Sequence, residues 1–219
     1  MNDGDIEIVL RLVKKSIQQW PVPFMERLSA ETEADPFRIL IACVLSLRTR
    51  DQTAAQASER LFSLSDGPQS MVNIPLKKIE KAIFPVGFYQ TKAKQIRAMS
   101  KQICEEFKGT VPDDIDALLK LPGVGRKTAN LVRTVGYKKP GICVDIHVHR
   151  ICNRIGYVRT KKPDETECVL RKNLPQKHWI TFNSLLVPFG QNQCTPISPR
   201  CSSCPISHIC QQVGISTAR

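Results

Sequence analysis

The amino-acid sequence predicts an all-α protein built from many short helices, and three observations lead to this prediction. Apolar residues recur at three- and four-residue steps along several segments. Alternating apolar and polar residues, the pattern of a strand, are scarce. Segments rich in proline and glycine separate the periodic stretches cleanly. At 219 residues, the chain is also long enough to form a hydrophobic core without disulfide bonds.

The first two helical signals are the N-terminal segment and the region that follows residue 35. The N-terminal segment carries apolar residues at helical spacing: Ile6, Val9, Leu10, Val13 and Ile17. The run from Phe37 to Leu47 is apolar nearly all round, which is typical of a buried central helix. Asp35 and Pro36 precede this run as an N-cap residue and a first helical residue would.

Further helices are expected along the rest of the chain, and turn residues mark their ends. The segment with Ile96, Met99, Ile103 and Phe107 repeats the helical spacing. The expected helices lie near 52–64, 75–84, 91–107, 113–120, 126–136, 146–155, 164–173 and 178–189. The breakers between them are Asp66-Gly67-Pro68, Pro85-Val86-Gly87, Gly109-Thr110-Val111-Pro112, Lys139-Pro140-Gly141 and Lys162-Pro163.

Charge and composition narrow the classes of partner. The chain has 32 Lys and Arg against 20 Asp and Glu, a formal net charge of +12 that favours a polyanion, either nucleic acid or an acidic membrane surface. No apolar run approaches the roughly 20 residues of a membrane span. The first five residues do not resemble a secretory signal. We therefore expect a cytoplasmic protein with no export signal.

The segment Leu121-Pro122-Gly123-Val124-Gly125-Arg126-Lys127-Thr128-Ala129 lies between two amphipathic helices. Gly123 and Gly125 permit a tight hairpin whose backbone N–H groups face outward, next to the positive end of the following helix. A phosphate fits such a site. By itself the pattern is as typical of a plain helix–helix turn. Arg126 and the positive net charge favour phosphate binding.

Four cysteines near the C-terminus have the spacing of a metal site. Cys194, Cys201, Cys204 and Cys210 follow a C-x6-C-x2-C-x5-C pattern in a segment stiffened by prolines. Four thiolates in a short loop can enclose one metal centre, and their softness admits both zinc and a 4Fe-4S cluster. The other five are expected to pack in the core: Cys43, Cys104, Cys143, Cys152 and Cys168.

These motifs together resemble the endonuclease III family of helix-hairpin-helix DNA glycosylase/AP lyases. The resemblance extends through most of the chain. Besides the hairpin and the four cysteines, it rests on three segments: Leu45-Ser46-Leu47-Arg48-Thr49-Arg50-Asp51, Val86-Gly87-Phe88-Tyr89-Gln90-Thr91-Lys92-Ala93-Lys94, and Val144-Asp145-Ile146-His147-Val148-His149-Arg150.

The resemblance implies the domain organisation and the cofactor. It implies a six-helix barrel at 29–139, with the helix-hairpin-helix at about 113–136. It also implies an iron-sulfur cluster domain formed by 1–28 and 140–219. The cluster loop, 194–210, is expected to hold one 4Fe-4S cluster through its four cysteines. DNA is expected to lie between the two lobes, and the resemblance further implies that the protein is nucleoid-associated and has no membrane partner.

The resemblance also implies two catalytic residues. Lys127 stands where the family has its nucleophilic lysine, and Asp145 matches the family's catalytic aspartate. The lysine implies lyase activity in addition to base removal, with β-elimination at the abasic site through a Schiff base. Asp145 would stabilise the developing positive charge on the sugar or assist proton transfer. Read without the resemblance, Asp145 is also a good N-cap for the next helix.

Further residues are expected to contact DNA. The family positions of the groups that fill the gap left by a flipped nucleotide correspond to Arg48 and Phe88. Arg48 departs from the glutamine expected there, and Phe88 stands where an aliphatic side chain is usual. Gly123, Gly125, Arg126 and Arg200 are expected to bind the DNA backbone, and His147 is a candidate for the base pocket. Other basic residues that could line the DNA path are Lys92, Lys94, Arg97, Arg150 and Arg154.

The predicted function is base-excision DNA repair by a monomeric enzyme. Its expected substrate is duplex DNA that contains damaged bases, above all oxidised pyrimidines, or abasic sites. Two alternatives stay open. A non-catalytic DNA-binding module would keep the glycines, the positive charge and the cysteines, but it would not need Lys127 together with Asp145. A mismatch-specific thymine glycosylase would share the fold, and no single residue reports the identity of the lesion.

Overall fold

The computed structural model describes residues 3–219. All regular elements in this range are helical, so the all-α prediction is confirmed. The twelve α-helices of the described chain are α1 (Asp3–Ser16), α2 (Phe24–Glu31), α3 (Pro36–Ser46), α4 (Asp51–Phe62), α5 (Pro68–Val72), α6 (Leu76–Ile83), α7 (Tyr89–Glu106), α8 (Ile115–Leu119), α9 (Arg126–Leu131), α10 (Ile146–Arg154), α11 (Pro163–Asn173) and α12 (Phe182–Asn192).

The helices form two compact units. We call Phe24–Lys139 the central unit and the residues up to Pro23 together with Pro140–Arg219 the terminal unit. The central unit thus holds α2 to α9, and the terminal unit holds α1 and α10 to α12. The boundary at 28/29 expected from the sequence would fall inside α2, which packs against α3 and α4 of the central unit.

Helix α3 is the core of the central unit. All residues from Ile39 to Leu45 are buried, as the apolar run predicts, and the helix packs against α2, α4, α7 and α9. The carboxylate Oδ1 of Asp35 accepts hydrogen bonds from the backbone N–H groups of Phe37 at 2.8 Å and Arg38 at 3.2 Å. Asp35 therefore caps α3 and Pro36 opens it, as predicted.

The core of the terminal unit joins α1 to the C-terminal helices. On α1, Ile6, Val9 and Val13 are at most 1% exposed, and they belong to one apolar cluster with residues of α10, α11 and α12. The cluster also includes Ile206 of the cysteine loop, and three of the loop's cysteines pack against its edge. The loop is thereby attached to a hydrophobic core rather than held only by its own turns.

Two short helices were not expected from the sequence. Helix α2 has eight residues and α5 has five, and segments this short show too few turns for their periodicity to stand out. Helix α5 begins at Pro68, inside a segment interpreted as a breaker. Proline is well suited to a first helical turn, so Asp66-Gly67-Pro68 ends one helix and starts the next. None of the helices in residues 3–219 is long and apolar enough to cross a membrane.

Candidate active site and metal centre

The hairpin between α8 and α9 has the backbone that its glycines predict. Gly123 has a φ of +80°, in the left-handed region, and a Cβ there would meet the Gln95 side chain at 2.8 Å. Gly125 is the N-cap of α9, and a Cβ at this position would find no heavy atom within 4 Å. Gly123 is therefore required by the turn itself, whereas Gly125 leaves open space beside the backbone.

Lys127 lies in the first turn of α9, two residues after Gly125, and its side chain is exposed. The neighbouring Thr128 is buried, so the helix turns Lys127 outward while its other face packs on α3. Burial raises the pKa of the Cys43 thiol on α3 to about 12, and the positive charge of Lys127 acts against this increase.

Asp145 belongs to the terminal unit and caps α10. Its carboxylate is 9% exposed, and Oδ1 accepts hydrogen bonds from the backbone N–H groups of His147 and Val148, both at 2.9 Å. The structural interpretation of this residue, an N-cap, is therefore correct. The two hydrogen bonds fix the orientation of the carboxyl group, which a chemical role would also require.

His147 lies against α12 in the terminal unit. A Cβ at Gly190 would stand 2.7 Å from His147 Nδ1, so the absence of a side chain at Gly190 makes room for the imidazole. Arg150 Nη2 lies 3.1 Å from the same nitrogen and also donates to the Gly190 carbonyl at 2.8 Å. The ring is half-buried and held on two sides.

Arg48 and Phe88 are brought together in the central unit. Both are exposed, and both have left-handed backbone conformations, with φ of 52° and 58°. The Arg48 guanidinium carbon stands 5.6 Å from the centroid of the Phe88 ring, a cation–π distance. Two loops that are forty residues apart in the chain thus present one pair of side chains at the surface.

The cysteine loop is held by hydrogen bonds from α10. The Arg154 guanidinium donates to the carbonyls of Thr195 at 2.6 Å and Pro196 at 2.7 Å, and to the Cys194 sulfur at 3.4 Å. Arg150 donates to the Cys194 carbonyl at 2.8 Å. Arg200 of the same loop is exposed.

The four cysteines fit an iron-sulfur cluster by their donor chemistry. All four are free thiols and half-buried. Burial raises the pKa of the Cys204 thiol to about 11 and also raises that of Cys210, and the other thiols of the loop add to both shifts. Ligation would release these protons, because the thiolate is the form of cysteine that binds a metal centre. Within residues 3–219 no group of three or more ligating side chains is gathered for a single metal ion.

The structure corrects the predictions for three single residues: Lys92, Arg154 and Cys168. Lys92 and Arg154 were expected to line a DNA path, but they are only 5% and 9% exposed and bond to backbone carbonyls. Charge alone therefore did not distinguish surface residues from internal ones. Of the cysteines outside the loop, Cys43, Cys143 and Cys152 are buried as expected, whereas Cys168 is exposed.

Two protein-family models match the chain. Residues 41–176 match the HhH-GPD superfamily of base excision DNA repair proteins. This match spans the hairpin, Lys127 and Asp145. Residues 194–210 match the iron-sulfur binding domain of endonuclease III, and these bounds are the first and the last of the four loop cysteines.

Relatives match most of the chain. Endonuclease III of Thermotoga maritima is 46% identical over 179 residues, which are 82% of this chain and 84% of that protein. Endonuclease III of Bacillus subtilis is 38% identical over 180 residues, 82% of each chain. Endonuclease III homolog 1 of Arabidopsis thaliana is 40% identical over 80% of this chain, which spans about half of that longer protein (48%).

Solved structures share the fold. A trapped covalent intermediate of endonuclease III with DNA, described as the estranged-adenine complex, superposes with a TM-score of 0.85 at 34% identity and covers 97% of both chains. A non-covalent endonuclease III–DNA complex superposes equally well at 33% identity, covering 97% of this chain and 96% of the other. A thermostable thymine-DNA glycosylase, at 22% identity and a TM-score of 0.83, shares the fold and covers 95% of this chain.

Proposed function

We infer the chemistry of this chain from its family, because the chain belongs to the endonuclease III family of base-excision DNA repair enzymes. It is a DNA glycosylase and AP lyase, and its cofactor is one 4Fe-4S cluster. What remains to be assigned is which residues perform each step and which DNA is acted upon. The observation that carries the assignment is the exposed Lys127 in the first turn of α9, directly after the glycine hairpin.

We propose that Lys127 is the nucleophile. Its deprotonated amine attacks C1′ of the damaged nucleotide, and the glycosidic bond breaks with its electron pair leaving on the base, which takes up a proton. The sugar ring opens as the nitrogen and C1′ form a Schiff base. Loss of a proton from C2′ then expels the 3′ phosphate by β-elimination and cuts the strand. The trapped covalent complex of a related endonuclease III supports this route.

We propose that Asp145 assists the departure of the base. Its carboxylate, oriented by the cap of α10, would stabilise positive charge on the sugar as the glycosidic bond breaks. Proton transfer is the second candidate role for the same group. His147, which is held against Gly190, is proposed to border the base pocket.

We propose that Cys194, Cys201, Cys204 and Cys210 ligate the cluster, which when bound supplies a rigid, redox-active metal centre. The support is their spacing, their state as free, half-buried thiols, and the bounds of the family match. Arg154 holds the loop from α10 through its bonds to Thr195 and Pro196. The Cys194 sulfur accepts a further bond from the same guanidinium.

The proposed substrate is duplex DNA with a damaged base or an abasic site, handled by a monomer that works on nucleoid DNA. Two kinds of contact are expected. The backbone at Gly123 and Gly125, with Arg126 and Arg200, would bind phosphates. Arg48 and Phe88 would fill the gap left by the flipped nucleotide, which their exposure and their contact with each other support.

Asp145→Asn tests the division of labour between the two catalytic residues. Asparagine can still cap α10, so the fold is expected to survive while the negative charge is lost. On a duplex with one thymine glycol, base removal should slow by about 100-fold or more. Cleavage of a preformed abasic site should slow far less, because no base has to be expelled there. Single-turnover rates on the two substrates measure both effects.

Equal losses on the two substrates would show that Asp145 does not act on base departure. The same assay on duplexes with uracil, a G·T mismatch or an intact sequence identifies the lesion. Preference for the G·T mismatch over thymine glycol would favour the mismatch-specific alternative. Size-exclusion chromatography with light scattering tests the monomer.

A further inference from the structure

Lys92 is a buried cation whose hydrogen-bond partners all lie on another segment. It sits in the first turn of α7 and is 5% exposed. Its ammonium donates to the carbonyls of Leu45 at 3.0 Å and Leu47 at 2.5 Å, and to the Thr49 hydroxyl at 3.3 Å. Leu45 lies in the last turn of α3, where a helix end leaves carbonyls without intrahelical partners. Leu47 and Thr49 lie in the turn that follows. The three acceptors match the three protons of an ammonium.

The loop before α7 is tied to the same turn. The Gly87 backbone N–H donates to the Thr49 hydroxyl at 3.2 Å, so this hydroxyl bonds both to Lys92 and to the loop. A Cβ at Gly87 would stand 2.8 Å from the Arg48 carbonyl oxygen. The backbones of the Arg48 turn and the Phe88 loop are therefore in contact. Lys92 forms hydrogen bonds to the Arg48 turn and belongs to α7, the helix that follows the Phe88 loop directly.

Arg48 and Phe88 are the residues that these two loops expose. Each holds a left-handed backbone conformation that costs about 1–2 kcal/mol for a residue with a side chain. Such conformations persist where surrounding contacts determine them. The hydrogen bonds from Lys92 and Gly87 to the Thr49 hydroxyl supply such contacts, because Thr49 follows Arg48 and Gly87 precedes Phe88 in the chain.

Stability alone does not favour a lysine at this position. Its three partners are uncharged oxygens, and burial lowers the pKa of Lys92 to about 8. Taking an ammonium out of water without a counter-charge costs free energy that an apolar side chain of similar size would not. The lysine provides what an apolar residue could not: three directed bonds that fix the backbone of the turn.

We propose that Lys92 is a positioning residue that holds the Arg48 turn and the Phe88 loop in the arrangement that enters the DNA duplex. This role rests on the proposed function of Arg48 and Phe88 as the residues that fill the gap in the base stack. Lys92 touches neither DNA nor the reacting atoms. It acts through the geometry of the two loops.

The test compares Lys92→Met with Lys101→Met. Methionine has nearly the length of lysine and can be buried, but it cannot donate. Lys101, on the same helix, is exposed and forms a surface ion pair with Glu105, so its replacement removes the same charge without a buried bond. The probe is a duplex with a tetrahydrofuran abasic analogue opposite 2-aminopurine, whose fluorescence rises when the base is unstacked.

We expect wild type and Lys101→Met to raise the fluorescence and Lys92→Met to lose most of this rise. Cleavage of a thymine glycol duplex by Lys92→Met should fall by about 10- to 100-fold, the effect of a misplacement on the order of 1 Å. In an Arg48→Ala, Phe88→Ala background, Lys92→Met should reduce the cleavage rate by less than about a further twofold, because substitutions that act through the same residues are not additive. A full additional loss in that background would mean that Lys92 supports the fold generally, and would overturn the proposal.

Thr49→Val is the second variant, because it removes the shared acceptor, together with the hydroxyl's own bond to the Leu47 carbonyl, at a half-buried position and leaves the lysine in place. It should show the same selective loss of fluorescence, even if Lys92→Met does not fold. An unchanged fluorescence response in folded Lys92→Met, or in Thr49→Val, contradicts the proposal. The fluorescence assay needs no chemistry, so a failure of Lys127 as nucleophile would appear in the cleavage assay alone.

Discussion

At the scale of single residues, Asp145 shows that an N-cap and the proposed chemical role are compatible in one side chain. Its Oδ1 accepts two backbone hydrogen bonds at the start of α10, and the residue is nearly buried. The sequence alone offered a choice between an N-cap and a catalytic acid. The structure shows the N-cap, and the proposed chemical role is compatible with it, because a carboxylate held by its cap has the fixed orientation that the chemistry would need.

Thiol reactivity provides a prediction at this scale. The thiolate is the reactive form, and burial raises the pKa of Cys43 to about 12 and raises that of Cys152 as well. Iodoacetamide at pH 8 should therefore modify the exposed Cys168 and leave Cys43 and Cys152 unmodified until the protein is denatured. Peptide mass spectrometry after timed quenching measures the order. Rapid native labelling of Cys152 would contradict the burial of α10.

The two charged residues that were wrongly expected at the surface are Lys92 and Arg154. Lys92 and Arg154 carry the same charge as surface residues, yet their side chains bond to the ends of other segments. Which carbonyls a folded chain leaves open depends on tertiary packing, and no local pattern records it. By contrast, the glycine hairpin and the cysteine spacing were visible because backbone conformation and metal ligation impose residue types at fixed separations.

At the scale of elements, the hairpin and the capped helices follow their sequence signals closely. Asp35 and Pro36 start α3, Asp145 starts α10, and Gly123 takes the left-handed turn. Helices α2 and α5 were not predicted, because an apolar face cannot be recognised over one or two helical turns. The central helix was predictable for the opposite reason, since eight of its eleven residues are buried and leave a long, nearly unbroken apolar run.

The two hairpin glycines give a matched pair of substitutions. Gly125→Ala points into open space, so we expect the fold to persist while affinity for duplex DNA falls about tenfold through lost backbone access to a phosphate. Gly123→Ala forces a side chain into the left-handed region against Gln95, which should lower the free energy of unfolding by about 1–2 kcal/mol. Fluorescence anisotropy with damaged and intact duplex measures affinity, and urea unfolding measures stability. Unchanged DNA affinity of Gly125→Ala would exclude phosphate binding at this backbone.

At the scale of the whole molecule, each unit carries a distinct set of the residues to which a function is proposed. The central unit presents the hairpin, Lys127 and the paired Arg48 and Phe88. The terminal unit presents Asp145 and the cysteine loop, and α10 connects these two features directly through Arg150 and Arg154. The terminal unit combines α1 with helices that begin more than a hundred residues later in the chain. The family resemblance implied this pairing of the two chain ends, whereas helical periodicity could not have indicated it.

Cluster loss is predicted to affect the terminal unit first. The purified protein should be yellow-brown, with broad absorption near about 400 nm. Cys201→Ser should remove iron and this absorption and reduce solubility, because metal binding is coupled to the folding of the loop. Cys168→Ser, an exposed cysteine outside the loop, is the control and should change neither. Anaerobic protein that contains zinc and no iron would contradict the cluster assignment.

Borohydride trapping tests the central claim, that Lys127 attacks C1′, most directly. Reductant added during turnover on a thymine glycol duplex should reduce the Schiff base and leave a covalent protein–DNA complex, visible on a denaturing gel. Lys127→Gln should abolish the complex while weakening duplex binding only modestly, whereas Lys120→Gln, which removes an exposed lysine before the hairpin, should trap as wild type does. Efficient trapping by Lys127→Gln would show that another amine is the nucleophile.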